Sequence, residues 1–256
     1  MGRFKAALLL CIGVLGWLTS ACSNSSGTPV LLGIAMIKPP ESSPTREASY
    51  LEMSSEGLHL NIDIHGVVLK NSQEQFLSRV LLDEVVNAAI DEGRLYIRLP
   101  SAVEIYDLTD ASKPLFLGRL SFLSEGVASV GIVAQAGLLF LPNGDHGFCS
   151  FDARDPSQIR PLDCLVETAN YPEDVVIQNQ VAYVVAGTAL WVIDVSNPSS
   201  LQMIKSVATP NDHWFGVIEI HQQTLAIREL PLRSPNVVVW TSYQLEDPRD
   251  PQLITP

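Results

Sequence analysis

Four polar residues alternate along one short segment, and their side chains include groups that bind zinc. They are His59, Asn61, Asp63 and His65, which would share one face of a β-strand. Imidazole nitrogens and carboxylate oxygens are common zinc ligands, but a tetrahedral site needs ligands that converge from more than one strand. The sequence offers no evident fourth partner. The pattern therefore favours the polar side of an exposed strand, and we predict no metal site.

A second group of oxygen-bearing side chains lies in Asn143-Gly144-Asp145-His146-Gly147. A calcium loop would need more acidic residues at regular spacing. Asn-Gly is the strongest short hairpin signal, so the segment is predicted to be a turn. The sequence contains no Gly-x-Ser-x-Gly elbow, phosphate loop or Cys-x-x-Cys motif. We therefore predict no catalytic constellation and no cofactor.

Two further segments combine acidic and aromatic residues, Tyr171-Pro172-Glu173-Asp174 and Asn211-Asp212-His213-Trp214. Carboxylates with an imidazole and an aromatic ring suit a polar or cationic ligand, or a sugar. The alternative is ordinary loop chemistry, with Trp214 packed between neighbouring elements. A binding role requires a fold that brings Glu173, Asp174, His213 and Trp214 together.

Residues 1–21 have the three parts of a secretory signal. Arg3 and Lys5 precede an apolar stretch, residues 6–18, which is shorter than the roughly 20 residues that span a membrane. Leu18-Thr19-Ser20-Ala21-Cys22 resembles a lipobox, although Thr19 departs from the usual pattern. We predict cleavage before Cys22 and a diacylglyceryl group on its thiol. The alternative is ordinary cleavage that leaves Cys22 as a free thiol.

The same resemblance implies a location. A lipid on Cys22 would hold the protein to a membrane of the bacterial cell envelope. Ser23, rather than Asp, follows the cysteine, which implies sorting to the outer membrane where the cell has one.

A repeated pattern predicts the fold. Three strand-like segments end in Asp107, Asp152 and Asp194, which recur 45 and 42 residues apart. A fourth copy keeps the Asp247-Pro248 turn but has Gln244 at the aspartate position, and a weaker fifth lies upstream. Short strands punctuated by Gly, Pro, Asn and Asp at this period are typical of four-stranded propeller blades. We predict an all-β fold, a β-propeller of about five blades. The three aspartates are predicted to accept backbone N–H groups in the turns that follow them.

The predicted units are 48–85, 86–125, 126–171, 172–214 and 215–256, so the propeller spans residues 48–256. In such a ring Glu173, Asp174, His213 and Trp214 would lie at the mouth of the central channel. Residues 22–47 form a linker that contains an apolar run, Val30 to Ile37. This run is either a strand that closes the ring beside the short last unit or a part of the tether.

One unit resembles a known family. Trp191-Val192-Ile193-Asp194-Val195-Ser196-Asn197-Pro198 is similar to the core of the LVIVD repeat, which occurs in propellers on bacterial and archaeal cell surfaces. Weaker matches extend the resemblance over residues 86–256. It implies a propeller and a surface location, and it supplies no catalytic residues.

Two cysteines remain in the predicted propeller, Cys149 and Cys164. An exported protein meets an oxidising compartment, where such a pair commonly forms a disulfide. A hairpin centred between Pro156 and Ser157 would place the two cysteines opposite one another. The alternatives are two buried thiols, or a one-residue shift that turns one thiol to the other face.

Composition limits the partners. The formal net charge is -12, and loss of Arg3 and Lys5 with the signal brings it to about -14. A surface of this sign repels phosphate backbones, so we predict no nucleic-acid binding. The leading hypothesis is a non-enzymatic propeller that binds an envelope protein or polymer. The alternative is an envelope hydrolase of five-bladed sugar-processing type, with carboxylates in the central channel.

The anchor is tested by the variant Cys22→Ser. It should take up no lipid label and should leave the membrane fraction, because the cysteine thiol is the attachment point. Wild type without label, together with a variant that stays bound to the membrane, would contradict the lipoprotein prediction.

Overall fold

The computed structural model describes residues 51–254, except 56, 64, 123–128, 168–169, 209–213 and 231–238, and omits the side chains of 51–55, 214, 215 and 230. These residues form twenty strands and a single short 3-10 turn, Gly144–His146. None of the helices within the described ranges is long and apolar enough to cross a membrane. The predicted signal, Cys22, the linker and the strand 30–37 lie outside the described residues.

The strands form five antiparallel four-stranded sheets, each built from consecutive strands, which confirms the predicted five-bladed propeller. Blade A contains β1 (Leu51–Ser55), β2 (Leu58–Asp63), β3 (Gly66–Asn71) and β4 (Phe76–Leu81). Blade B contains β5 (Asn87–Asp91), β6 (Arg94–Leu99), β7 (Ala102–Asp107) and β8 (Leu115–Ser121). Blade C contains β9 (Val133–Gln135), β10 (Leu138–Pro142), β11 (Phe148–Asp152) and β12 (Arg160–Leu165).

Blade D contains β13 (Pro172–Gln178), β14 (Val181–Ala186), β15 (Ala189–Asp194) and β16 (Gln202–Ala208). Blade E contains β17 (Trp214–His221), β18 (Thr224–Leu230), β19 (Val239–Gln244) and β20 (Gln252–Leu253). Each predicted unit holds one blade, apart from a one-residue difference where blade E begins. The last strand has only two residues, the short fourth strand that the sequence indicates.

The middle strands of blades B, C and D are buried on both faces because each of these blades packs between two others. All six residues of β14 are buried. Ala182 and Val184 belong to an apolar cluster with Phe148 of blade C. Tyr183 and Val185, which alternate with them, pack with Leu225 of blade E. Similar clusters join blade A to B and blade B to C.

The first strands surround the axis of the ring. In chain order, β1 contacts β5, β5 contacts β9, β9 contacts β13 and β13 contacts β17. We call the end where these strands begin the upper face. It also holds the connections between second and third strands. The lower face, at the opposite end, holds the turns that follow the third strands.

The recurrent aspartates lie on the lower face and act as predicted. Asp107 Oδ1 accepts the backbone N–H of Thr109 at 2.7 Å, and Asp194 Oδ1 accepts that of Ser196 at 2.9 Å. Asp152 Oδ1 accepts the N–H of Arg154 at 3.2 Å. The carboxylates therefore stabilise the turns that end the third strands.

These turns also contact the preceding blade. The Ser150 hydroxyl of blade C donates to the carbonyl of Pro198 in blade D at 2.5 Å. The Tyr183 hydroxyl of blade D donates to the carbonyl of Pro248 in blade E at 2.7 Å. Between blades B and C, a Cβ on Gly118 would lie 2.0 Å from the Pro156 carbonyl oxygen, so only glycine permits this approach. The repeated Asp/Asn-Pro turn thus fixes the spacing of neighbouring blades.

Cys149 and Cys164 form the predicted disulfide, with their Cα atoms 4.1 Å apart. They lie opposite each other on β11 and β12, while a β-bulge at Ser150/Phe151 shifts the register beyond them. Nearer the turn, Phe151 pairs with Pro161 and Asp152 with Arg160, so this part of the hairpin is centred on Pro156, and the bulge adds the one residue that brings Cys149 opposite Cys164. A loop of this size contributes about 3 kcal/mol in the chain-entropy account.

Replacement of the turn acceptor in blade D gives a test. Asp194→Ala removes the bond to Ser196 and the contact with Arg249 of blade E. It should lower the free energy of unfolding by about 1 kcal/mol, as loss of a cap does. Chemical denaturation measures this, with Asp83→Ala at an exposed position between blades A and B as control. Equal stability of the two variants would show that the turn carboxylate does not stabilise the blade.

Candidate functional site

The innermost strand of blade D begins with an irregularity at the upper face. Pro172 pairs with Ala186 and Asp174 pairs with Val185, which leaves Glu173 in a β-bulge without a partner on β14. The Glu173 carbonyl accepts the backbone N–H groups of Val130 at 2.7 Å and Gly131 at 3.1 Å. Since these residues precede β9 of blade C, the bulged backbone is held from the neighbouring blade.

Asp174 is a structural carboxylate. It is only 7% exposed, and its two oxygens accept the N–H groups of Val175 at 2.9 Å and of Ile218, in blade E, at 3.1 Å. A Cβ on Gly131 of the connection into blade C would lie 2.6 Å from Asp174 Oδ1, so this approach needs glycine. Burial raises the pKa of Asp174 to about 6, against the opposing effect of these hydrogen bonds and of Arg98. Asp174 thus links blades C, D and E around the channel.

Arg98 ties blade B to blade C. Its guanidinium is fully buried, donates to the carbonyls of Gly131 at 2.6 Å and Pro142 at 2.7 Å, and lies 5.5 Å from the centre of the Phe122 ring. Burial lowers the pKa of Arg98 to about 10, and the charge of Asp174 opposes that shift. Sequence reasoning missed this residue, although an arginine between Ile97 and Leu99 in a largely apolar strand was a usable signal.

Glu173 differs from both neighbours because its carboxylate is not committed to the fold. The side chain is half-buried, and within the described residues its carboxylate has neither a hydrogen bond nor an ion pair. Burial raises the pKa of Glu173 to about 7, and the adjacent charge of Asp174 raises it further in the same direction. Tyr171, two residues earlier, keeps 41% of its surface exposed.

Of the four predicted channel-mouth residues, the structure describes two in full, one by its backbone alone and one not at all. Glu173 and Asp174 lie side by side at the start of β13 on the upper face. Trp214 begins β17, the next first strand, and its backbone pairs with Leu230, but its side chain is not described. His213 lies outside the described residues. That all four surround one site therefore stays a prediction.

The alternating polar residues of blade A face other partners. Asp63 Oδ1 pairs with Arg79 Nη1 at 2.6 Å, and this hydrogen bond lowers the pKa of Asp63. His59 Nδ1 lies 2.7 Å from Glu74 Oε1, and the backbone N–H of His65 donates to Asp63. Among the residues that the structure describes, no three His, Cys, Asp or Glu side chains converge to hold a metal ion. The Asn143–Gly147 segment forms the 3-10 turn between β10 and β11.

A family match coincides with blade D. Residues 170–209 match the LVIVD repeat. The chain carries an LVIVD repeat. This LVIVD segment spans β13 to β16 and so contains both Glu173 and the Asp194 turn. No curated protein matches the chain.

Solved structures share the propeller fold at low sequence identity. A chain of the mitotic checkpoint complex superposes with a TM-score of 0.60 at 11% identity, over 83% of this chain and 65% of that one. A functionally unknown protein from Desulfotomaculum acetoxidans DSM 771 superposes with a TM-score of 0.59 at 16% identity, over 78% of this chain and 68% of that one. The designed protein Ika8 superposes with a TM-score of 0.52 at 9% identity. The match covers 76% of this chain but only 57% of the designed chain. At these identities the likeness shows the fold alone.

The raised pKa of Glu173 predicts a pH-dependent stability. The folded protein keeps the Glu173 proton to higher pH than the unfolded chain, so this group costs stability as pH rises from about 4.5 to 7. Glu173→Gln removes the charge and should be more stable than wild type by roughly 1–3 kcal/mol at pH 8. Near pH 4 the two proteins should be equally stable.

Chemical denaturation of both proteins across this pH range measures the difference in their free energies of unfolding. Groups that titrate in the same way in both proteins do not contribute to this difference. Glu246→Gln, at an exposed position of the lower face, is the control and should give a difference that does not depend on pH. A constant difference for Glu173→Gln as well would contradict the assigned environment of this carboxyl.

Proposed function

We propose that this protein is a non-enzymatic interaction module, anchored at the cell envelope by lipid on Cys22, that binds an envelope protein or polymer through its upper face. The observation that carries the proposal is that this face combines exposed apolar side chains with Glu173, a half-buried carboxylate that has no hydrogen bond or ion pair among the described residues. Val166, Tyr171 and Trp240, from blades C, D and E, are 55%, 41% and 49% exposed. Exposed apolar groups around a rigid frame are typical of protein-binding surfaces.

The rigid frame is supplied by the buried polar groups of the channel mouth. Arg98 donates hydrogen bonds to backbone carbonyls of blade C, and Asp174 accepts backbone N–H groups of blades D and E. Such cross-blade bonds hold the upper face in one conformation, which lowers the entropy lost when a partner binds.

A sugar hydrolase would need two carboxyl groups that reach the substrate, one as acid and one as base or nucleophile. Both oxygens of Asp174 are occupied by backbone N–H groups. Glu173 alone does not supply the second carboxyl group, so the described part of the channel mouth favours binding over hydrolysis.

Two features support an envelope location. The Cys149–Cys164 disulfide suits an oxidising compartment such as the periplasm or the cell surface. LVIVD repeats occur in surface propellers, and the lipobox-like segment before Cys22 precedes the propeller by a linker long enough to separate it from the membrane.

Cross-linking in intact cells tests the proposal. Wild type and Tyr171→Ala are recovered from the membrane fraction, and attached components are quantified by mass spectrometry and sugar analysis. Leu115→Ala is the matched control, since Leu115 is an exposed apolar residue at the lower face. One envelope component should be recovered with wild type and control, and at least about fivefold less with Tyr171→Ala.

Two outcomes would contradict this function. One is that wild type recovers no component above the level of an unrelated lipoprotein, or that wild type, Tyr171→Ala and Leu115→Ala all recover the same amount of it. The other is hydrolysis of aryl glycosides by the purified protein that disappears in Glu173→Gln.

A further inference from the structure

We propose that the upper face recognises a protein segment in which a lysine or arginine is flanked by apolar residues. The cationic side chain of that segment would bind Glu173. The inference rests on the proposed binding function and names the chemistry of the partner. Arg98 and Asp174 make their hydrogen bonds within the fold, whereas the Glu173 carboxylate makes none among the described residues. Exposed apolar side chains lie on the same face.

Glu173 is the carboxylate that the fold does not use. The bulge removes it from strand pairing, and two N–H groups from the connection into blade C fix its backbone through the carbonyl. Among the described residues its carboxylate has no cationic partner. A half-buried carboxylate in this position is costly when ionised, and a bound ammonium or guanidinium group would offset that cost.

The local charge selects a cation rather than an anion. Asp174 adds negative charge beside Glu173, and Glu219 acts on Asp174 in the same direction. Arg98, the cation that faces Asp174, is fully buried and bonded to two carbonyls. The whole chain carries a formal net charge of -12. A positively charged segment would be attracted to this face, and an acidic one would be repelled.

The apolar side chains identify the partner as a polypeptide rather than a free amine. Tyr171 lies two residues before Glu173, Val166 follows the last strand of the preceding blade, and Trp240 is the second residue of β19 in the next blade. Aromatic faces attract cations and also bury aliphatic side chains. A chain with apolar residues on both sides of its cation would contact all three blades.

Two labelled synthetic peptides test this surface against the full chain purified in neutral detergent. One repeats Lys, Leu, Ser and Gly, and the other has Glu in place of Lys. Fluorescence anisotropy should show binding of the lysine peptide, weakening as salt rises, and at least about tenfold weaker binding of the glutamate peptide.

Variants separate Glu173 from general charge attraction. Glu173→Gln keeps the size of the side chain and should weaken binding of the lysine peptide roughly tenfold, as should Tyr171→Ala. Glu246→Gln removes an equal charge from the lower face, and Leu115→Ala removes an exposed apolar group there. Both controls should bind within about twofold of wild type. Circular dichroism confirms that each variant is folded.

The proposal is overturned if the two peptides bind equally, or if Glu246→Gln weakens binding as much as Glu173→Gln. This result is distinguishable from failure of the binding function itself. An envelope component that is lost with Tyr171→Ala but retained with Glu173→Gln would keep the interaction module and remove the cationic recognition.

Discussion

The burial of both faces of the central strands in blades B, C and D is the constraint on which this structure depends. A single blade such as D cannot bury β14 and β15 by itself, because their side chains alternate between two opposite faces that are both apolar. Each blade therefore needs a neighbour on either side, and a ring of blades is the closed solution. The interior leaves little place for polar groups, so function is confined to the ends of the blades.

Two buried charged groups, Arg98 and Asp174, lie at the upper mouth, where backbone atoms of neighbouring blades satisfy them. An unpaired buried charge would cost several kcal/mol, but Arg98 donates to two carbonyls and Asp174 accepts two N–H groups. These bonds cross from one blade to the next, and both residues meet at Gly131. They fix the geometry of the mouth and so the position of Glu173, whose carboxylate has no hydrogen bond or ion pair within the described part of the chain.

The parts of the structure that depend on local pattern were predictable. Asp107, Asp152 and Asp194 mark the ends of third strands because their carboxylates close the turn immediately after them. The pairing of Cys149 with Cys164 follows from one short hairpin. The residues that make the contacts between blades were not predictable. Arg98 meets Pro142 about one repeat further along the chain, but the repeat does not indicate which side chain crosses to the next blade. The bulge that frees Glu173 was likewise missed, because strand alternation assumes a regular ladder.

The unfavourable environment of Glu173 connects stability to recognition. Near neutral pH its half-buried carboxylate ionises at a cost, since burial and Asp174 raise its pKa to about 7. A cation that binds there would favour the ionised form and so lower that pKa, which means that binding releases a proton when it begins from the neutral form. By linkage, the same partner stabilises the folded protein most at a pH where Glu173 is already charged. The mouth is therefore least stable alone under the conditions in which it attracts a cation most strongly, as the proposed recognition of a cationic segment requires.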